Sequence, residues 1–190
     1  NVFDDSSIYV STDSKKIKKI AEATGLKIPF LRPKNLAKDT SNIRDVILHA
    51  IEFYKLKNNE YPNFIVLLQP TSPLRNSNHI IEAIDLYNDK LDMVSSVNET
   101  NANPYYVLFE ENKEGLLKKV KKANFTRRQD CPKVWQYNGA VYIINTKSII
   151  KKEFHKFSKI KKYVMSLSES IDIDNYIDFE LCKIIMNENR

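Results

Sequence analysis

Apolar residues along the chain follow two alternating rhythms. From Ser41 to Lys57 the positions Ile43, Val46, Ile47, Ala50, Ile51 and Tyr54 recur at the spacing of one helical face, and Phe64–Leu68 follows as an unbroken run of strand length. A helix carrying Ile80, Ile81, Ala83, Ile84 and Tyr87 is predicted next, with Ser77 or Asn78 as its cap, and then a strand at Met93–Val97. Upstream, Ser6–Val10 reads as a short strand, and "STDSKKIKKIAEATG" as a helix capped by Ser14 and stopped at Gly25. This alternation predicts an α/β fold, a mainly parallel sheet with helices on both faces.

The rhythm fails between Asn98 and Tyr137. That segment offers short strand-like runs such as "YYVLF" and a long basic connection, the pattern of an arm projecting from the domain. Beyond it "GAVYIINT" predicts a buried strand, "YVMSL" another, and a closing helix carries Ile177, Leu181, Ile184 and Ile185 on one face. No repeat or low-complexity tract interrupts the chain, and 190 residues suffice for a single domain with a substantial core. No apolar run approaches the length of a membrane span, so no membrane role is expected. Only Cys131 and Cys182 occur, without a CxxC, which suits a reducing compartment and a cytoplasmic location.

The net charge of +6 hides a segregation. Lys113 to Lys162 holds 15 Lys or Arg against 3 Asp or Glu, leaving the remainder of the chain acidic. Such a stretch serves a nucleic acid, a small anionic ligand or simply solvation, and no nucleic-acid-binding motif accompanies it. A nucleic-acid partner is therefore not expected.

Candidate chemistry begins at "IVLLQPTSPLR". Four aliphatic residues end in Gln69, two prolines, Thr71, Ser72 and Arg75, where an open parallel sheet would bind a ligand. The plain alternative is a rigid polar turn that caps the next helix. In "SIDIDNYIDFE" Asp172 and Asp174 stand two apart at the expected end of a strand, on one face of extended backbone, where paired carboxylates suit a hard cation such as Mg²⁺. Asp174 is equally suited to cap the final helix. "FLRP", with Arg32, and "TRRQDCPKVWQYNGAVY" are further candidates: Arg128 can grip a carboxylate in a fork and Asn138, before a glycine, can orient a hydroxyl or amide, although arginines on surface loops usually do nothing specific. His49, His79 and His155 have no motif-spaced partner for a hydrolase triad or a zinc site.

Taken in order, "VSTDS", "FLRP", "LLQPTSPLR", "YNGAVY" and "SIDID" resemble the acylneuraminate cytidylyltransferase family, the CMP-sialic acid synthetases, over nearly the whole chain. The resemblance implies transfer of CMP from CTP to the anomeric hydroxyl of a nonulosonic acid, with release of pyrophosphate and the help of Mg²⁺ or Mn²⁺. It implies a Rossmann-like nucleotidyltransferase domain over residues 1–190, with residues 98–137 as an arm that reaches across a homodimer to the partner's sugar pocket. Arg32 then resembles the family's cytosine-side arginine, with Asn42, Thr71 and Ser72 on the nucleotide side. Gln69, Arg128, Gln129, Asn138 and Tyr142 match residues at the sugar, and Asp172 and Asp174 match the metal-binding aspartates, so that Asp172, Asp174 and Gln69 are the expected catalytic set.

Two departures stand out. The family's N-terminal phosphate loop, an "ARxGSKxxxxKN"-like stretch, is absent from this sequence, and by the resemblance an N-terminally incomplete enzyme is expected. Asn42 and Ile43 also stand where many relatives carry two small hydroxyl residues near the nucleotide. Phe154 and Phe157 in "KKEFHKF" are candidates for reading the sugar's acyl group. Two rivals remain open from the residues: a nucleotide-sugar-dependent glycosyltransferase using Asp172-Ile-Asp174 as a DxD motif, and a non-catalytic nucleic-acid-binding domain.

Overall fold

In the computed structural model, which describes residues 2–188, the Ser14 hydroxyl accepts a hydrogen bond from the Ile17 N–H at 3.3 Å and opens helix α1 (Lys15–Glu22). Gly25 follows its end with φ at +94°, a left-handed conformation that glycine adopts without a Cβ penalty. Helix α2 (Ile43–Asn58) starts where the Asn42 side chain accepts from the Arg44 N–H at 3.0 Å, buries Val46, Ile47 and Ile51, and stops at Asn59 in the left-handed region. The cap and stop of α1 thus stand where the pattern places them, and α2 occupies the stretch its apolar spacing predicts.

The remaining elements are β1 (Phe64–Leu67), α3 (Ser77–Asp85), β2 (Met93–Glu99), β3 (Phe109–Glu111), β4 (Leu117–Lys119), β5 (Trp135–Asn145), α4 (Thr146–Lys151), β6 (Ile160–Val164) and α5 (Tyr176–Glu188). Four strands form a sheet in the order β1-β5-β2-β6, and β3 with β4 makes a separate antiparallel hairpin. β1 and β5 pair antiparallel, from Phe64 opposite Asn145 to Leu67 opposite Tyr142. β6 starts beside the start of β2 and ends beside its end, since the Asp92 N–H donates to the Lys159 carbonyl at 2.9 Å and the Met165 N–H to the Val97 carbonyl at 2.8 Å. The sheet is mixed, with β5 antiparallel to β1 and β6 running in the same direction as β2. Strand–helix alternation dictates parallel neighbours only while a helix makes the crossover, and β5 is entered from the irregular segment instead.

Three further expectations change. Ser6–Val10 is not a strand: Asp5–Ser7 closes a 3-10 turn. Within "YYVLF" only Phe109 enters a strand, the preceding residues forming a turn on the Asn103 carbonyl. Helix α5 buries Cys182, whereas Ile177, Leu181 and Ile184 on its anticipated inner face are exposed.

The described residues form two units. The first comprises the residues up to Leu67, Ser77–Val94 and Tyr142–Lys161; the second comprises Leu68–Asn76, Ser95–Val141 and the residues from Lys162 onward. The core of the first is Ile47, Ile51, Met93, Ile144, Ile149 and Phe157, with Tyr142 and Phe154 packed against it. The Phe154 and Phe157 rings thus pack against each other in that core, tilted by 50° with centroids 5.2 Å apart.

Asp92 is the polar anchor of that unit. It is 3% exposed, and its carboxylate accepts from Lys152 Nζ at 2.8 Å, Ser148 Oγ at 2.7 Å and the N–H groups of Ser158 and Lys159, each at 3.1 Å. Burial alone would push this carboxyl up, but the hydrogen bonds from Lys152, Ser148, Lys159 and Ser158 together outweigh it and hold it well below the usual carboxylate range. A carboxyl depressed in the native state stabilises the fold above its unfolded value, about 3.9, and that contribution is lost as pH falls through the native value. Asp92→Asn is therefore expected to cost roughly 2 kcal/mol at neutral pH, with the gap to wild type narrowing below about pH 4. Urea denaturation across pH reads this out, and a gap independent of pH would refute it.

Candidate active site

After β1 the chain runs through turns from Leu68 to Asn76, because Pro70 and Pro73 have no N–H to extend a ladder. Side chains and backbone groups of the second unit hold this loop. Arg75 Nη1 donates to the Gln69 carbonyl at 3.0 Å and to the Ala140 carbonyl at 2.8 Å. The Ile173 N–H donates to the Thr71 carbonyl at 2.9 Å, and the buried Ser72 hydroxyl lies 3.5 Å from the Asn138 carbonyl. Arg75 is half-buried, and burial pushes its guanidinium below its usual value.

Asn138 is buried in β5. Its Oδ1 accepts from Ser96 Oγ at 2.5 Å and from the Ala140 N–H at 3.2 Å, while its Nδ2 donates to Ser170 Oγ at 2.8 Å and approaches Met165 Sδ at 3.4 Å. The side chain expected at a ligand is thus engaged within the protein. Gly139 comes next, with φ at +74°. A Cβ there would collide with the Gln69 amide oxygen and lie 3.5 Å from Asp172 Oδ2. Only glycine permits this close approach. Gln69, Gly139 and Asp172 therefore converge on one point.

Asp172 Oδ1 is buried and has no hydrogen-bond partner among the described residues. A carboxylate oxygen in that position suits an arriving cation or donor. The pair does not lie on a strand: the Asp174 N–H donates back to the Asp172 carbonyl at 3.2 Å, so the backbone folds between them and the shared-face argument from extended geometry does not hold. Nor does Asp174 cap α5. Asn175 does so, its Oδ1 accepting from the Ile177 N–H at 2.8 Å and the Asp178 N–H at 3.2 Å, while Asp178 Oδ2 accepts from the N–H groups of Asp174 and Asn175. Asp174 is exposed, its carboxylate not consumed by the cap. No three His, Cys, Asp or Glu side chains among the described residues are grouped to hold a metal. The buried, unpartnered Asp172 Oδ1 is an oxygen donor of the kind Mg²⁺ takes when substrate oxygens complete its shell.

The other candidates lie elsewhere. Arg128 and Gln129 begin a 3-10 turn and line a cleft of about 350 Å³ in the second unit, together with Glu99, Asn103 and Lys133. The adjacent Arg127 is engaged by Asp130 in a two-pronged pair at 2.9 and 3.1 Å. In the first unit Arg32 lines a cleft of about 270 Å³ with Lys38, Ser41 and Ile43. Its Nη2 stands 3.7 Å from Asp13, and its Nε is buried without a partner among the described residues. Asn42 serves as the α2 cap, and Tyr142 packs on the first unit's core. Sequence reasoning counted Arg75 among groups for gripping a ligand, not among those that hold the loop, and assigned no part to Gly139 itself. A glycine inside an apolar strand and a lone cation in a proline-rich turn were the available signals.

A family profile described as "Cytidylyltransferase" matches residues 1–190. The chain belongs to the cytidylyltransferase family. It is 30% identical to "Post-translational flagellin modification protein B" of Campylobacter coli over 95% of this chain and 77% of that protein. It is 31% identical to the "CMP-N,N'-diacetyllegionaminic acid synthase" of Legionella pneumophila over 96% of this chain and 79% of that protein. It is 33% identical to the "N-acylneuraminate cytidylyltransferase" of Escherichia coli over 95% of this chain but 42% of that longer protein.

For this cytidylyltransferase family member the close approach at Gly139 has a direct test. Gly139→Ala forces an L residue into the left-handed region at a cost of about 1–2 kcal/mol and drives the flexible Gln69 side chain aside. Thermal denaturation should show that loss, and a structure of the variant should show Gln69 in another rotamer. A Gln69 side chain left in place would contradict the geometry.

Proposed function

We propose that this chain transfers CMP from CTP to the anomeric hydroxyl of a nonulosonic acid and releases pyrophosphate. The observation that carries the reading is the convergence of Gln69 and Asp172 on Gly139, with one Asp172 oxygen buried and unpartnered among the described residues, in a chain matched over its whole length by the cytidylyltransferase profile. Relatives named for legionaminic and acylneuraminic acids favour this reading over a DxD glycosyltransferase or a nucleic-acid-binding module. The acceptor oxygen forms a bond to the α-phosphorus of CTP, and the bond from that phosphorus to the bridging oxygen of pyrophosphate breaks. Catalysis of such a step is mainly positioning and charge neutralisation.

Each residue then has a part. Gln69 orients the acceptor, held by a loop whose prolines limit its freedom. Arg128 grips the acceptor's carboxylate in a fork, with Gln129 beside it. Arg32 addresses the nucleobase, with Asn42, Thr71 and Ser72 on the nucleotide side. Asn138 acts by holding Gly139, and Tyr142 borders the sugar. Asp172 and Asp174 would hold Mg²⁺ or Mn²⁺, which supplies charge neutralisation at the phosphate oxygens when bound.

We also infer a homodimer built through residues 98–137, in a Rossmann-like enzyme working in the cytoplasm. Val107, Leu108 and Phe109 in that segment are exposed together, which a second copy would cover. A monomer at micromolar concentration in sedimentation equilibrium would exclude the dimer. No helix among the described residues is long and apolar enough to cross a membrane.

Incubating the protein with CTP, Mg²⁺ and a panel of N-acetylneuraminic and diacetyllegionaminic acids tests the reaction through pyrophosphate release. Release with one or more acceptors is expected; none from any would refute the reading. Asp172→Asn and Asp174→Asn should each lower turnover by about two orders of magnitude or more with little change in stability, and the double variant should lose much less than the product. Arg128→Ala should raise the acceptor KM about tenfold or more while leaving that for CTP nearly unchanged.

A further inference from the structure

We infer that Arg75 is a positioning residue for the proposed transfer: one guanidinium nitrogen binds the carbonyls of Gln69 and Ala140 and so fixes the Gln69 side chain over Gly139 and beside Asp172. The inference rests on the reading of Gln69 as the residue that orients the acceptor. Its geometry is independent of that reading. The two carbonyls belong to the two chain segments whose contact matters, since Gln69 supplies the amide and Ala140 directly follows the glycine it lies against. Setting the distance between those carbonyls sets the distance between the Gln69 backbone and Gly139.

Space filling does not require a cation here. A half-buried guanidinium loses hydration that a methionine or leucine of similar reach would not, and it recovers this through the carbonyls it bridges. Gly139 adds a second constraint: at a φ of +74° it carries no Cβ, and the space a Cβ would fill is the space the Gln69 amide oxygen occupies. Ala140 is pinned on both sides, its N–H by Asn138 Oδ1 and its carbonyl by Arg75. Removing Arg75 releases one of those pins and the backbone of Gln69 together.

The test combines turnover with a readout that needs no turnover. Arg75→Met removes the donors and keeps much of the length. It should lower kcat by about ten- to a hundredfold at saturating CTP and acceptor, with KM for CTP nearly unchanged, because small misplacements of an orienting group cost this much. Arg75→Lys, whose ammonium can still reach a carbonyl, should recover most of the loss. In a Gln69→Ala background the Arg75→Met change should cost less than about threefold, since the effect passes through Gln69. Equal losses in both backgrounds would overturn the inference.

The side-chain amide resonance of Gln69, assigned by its disappearance in Gln69→Ala, should shift or broaden in Arg75→Met without any substrate present. An unchanged resonance would also overturn the inference. Wild type without turnover on any acceptor sinks the proposed reaction instead, and the resonance then decides the placement alone. If Arg75→Met does not fold, Arg75→Gln, shorter and uncharged, carries both readouts, and an unchanged kcat with an unchanged Gln69 resonance in that variant would overturn the proposal.

Discussion

The second unit depends on one buried amide. Asn138 draws together Ser96 of β2, Met165 and Ser170 beyond β6 and its own strand through Ala140, while its carbonyl faces the Ser72 hydroxyl. Ser96 Oγ in turn accepts from the Val141 N–H at 2.7 Å. A buried amide with its donors and acceptor engaged is stable, and the same amide with one partner missing costs roughly 1–3 kcal/mol, so the segments have little freedom to shift singly. The left-handed Gly139 follows directly after this amide. Its conformation is thereby imposed by neighbours rather than chosen by the glycine.

Two aspartates show how the protein separates support from chemistry. Asp92 and Asp172 are chemically identical, yet Asp92 receives donors on both oxygens whereas Asp172 keeps one oxygen buried and unpartnered among the described residues. The first arrangement consumes the charge in holding β2, α4 and the approach to β6. The second leaves an oxygen whose interaction is still to be made, at the point Gln69 also reaches. Burial without a partner is tolerable only where something else supplies one or where the cost is spread over a rigid frame, and the network around Asn138 is such a frame.

What could be read from the sequence was local. Ser14, Gly25 and the apolar face of α2 act within a few residues of themselves, and each stands where periodicity and capping put it, whereas the cap formed by Asn42 was not anticipated. The direction of β5 was not legible, because antiparallel pairing with β1 joins residues about eighty positions apart and no helix announces the crossover. Asp174 was offered as an alternative α5 cap although Asn175 and Asp178 stand at the three-residue spacing of a reciprocal cap; two adjacent capable residues cannot be ranked by type alone. The apolar stripe of α5 met its period but not its burial, since periodicity describes a face and not what covers it. At the site, "LLQPTSPLR" and "SIDID" stood out as polar clusters, and Gln69 of the first meets Asp172 of the second at Gly139. That Arg75 reaches Ala140 was not legible, for that contact spans 65 residues.

The composition of the loop after β1 now has a physical account. Its prolines contribute no donors, so the chain cannot run on as a ladder, and its anchoring must come from carbonyls and side chains. Gln69 and Thr71 give their carbonyls to Arg75 and Ile173, and Ser72 gives its hydroxyl to Asn138. The polar residues that suggest a grip on a ligand are thus mostly gripping the protein itself. Under the proposed transfer this division is what the chemistry needs: positioning outweighs covalent participation, so most of a loop's polar groups are best used to hold still the few that meet the substrate. Of those few, the Gln69 amide lies where a glycine has made room for it, and its freedom to move is set by a cation that need never touch the substrate.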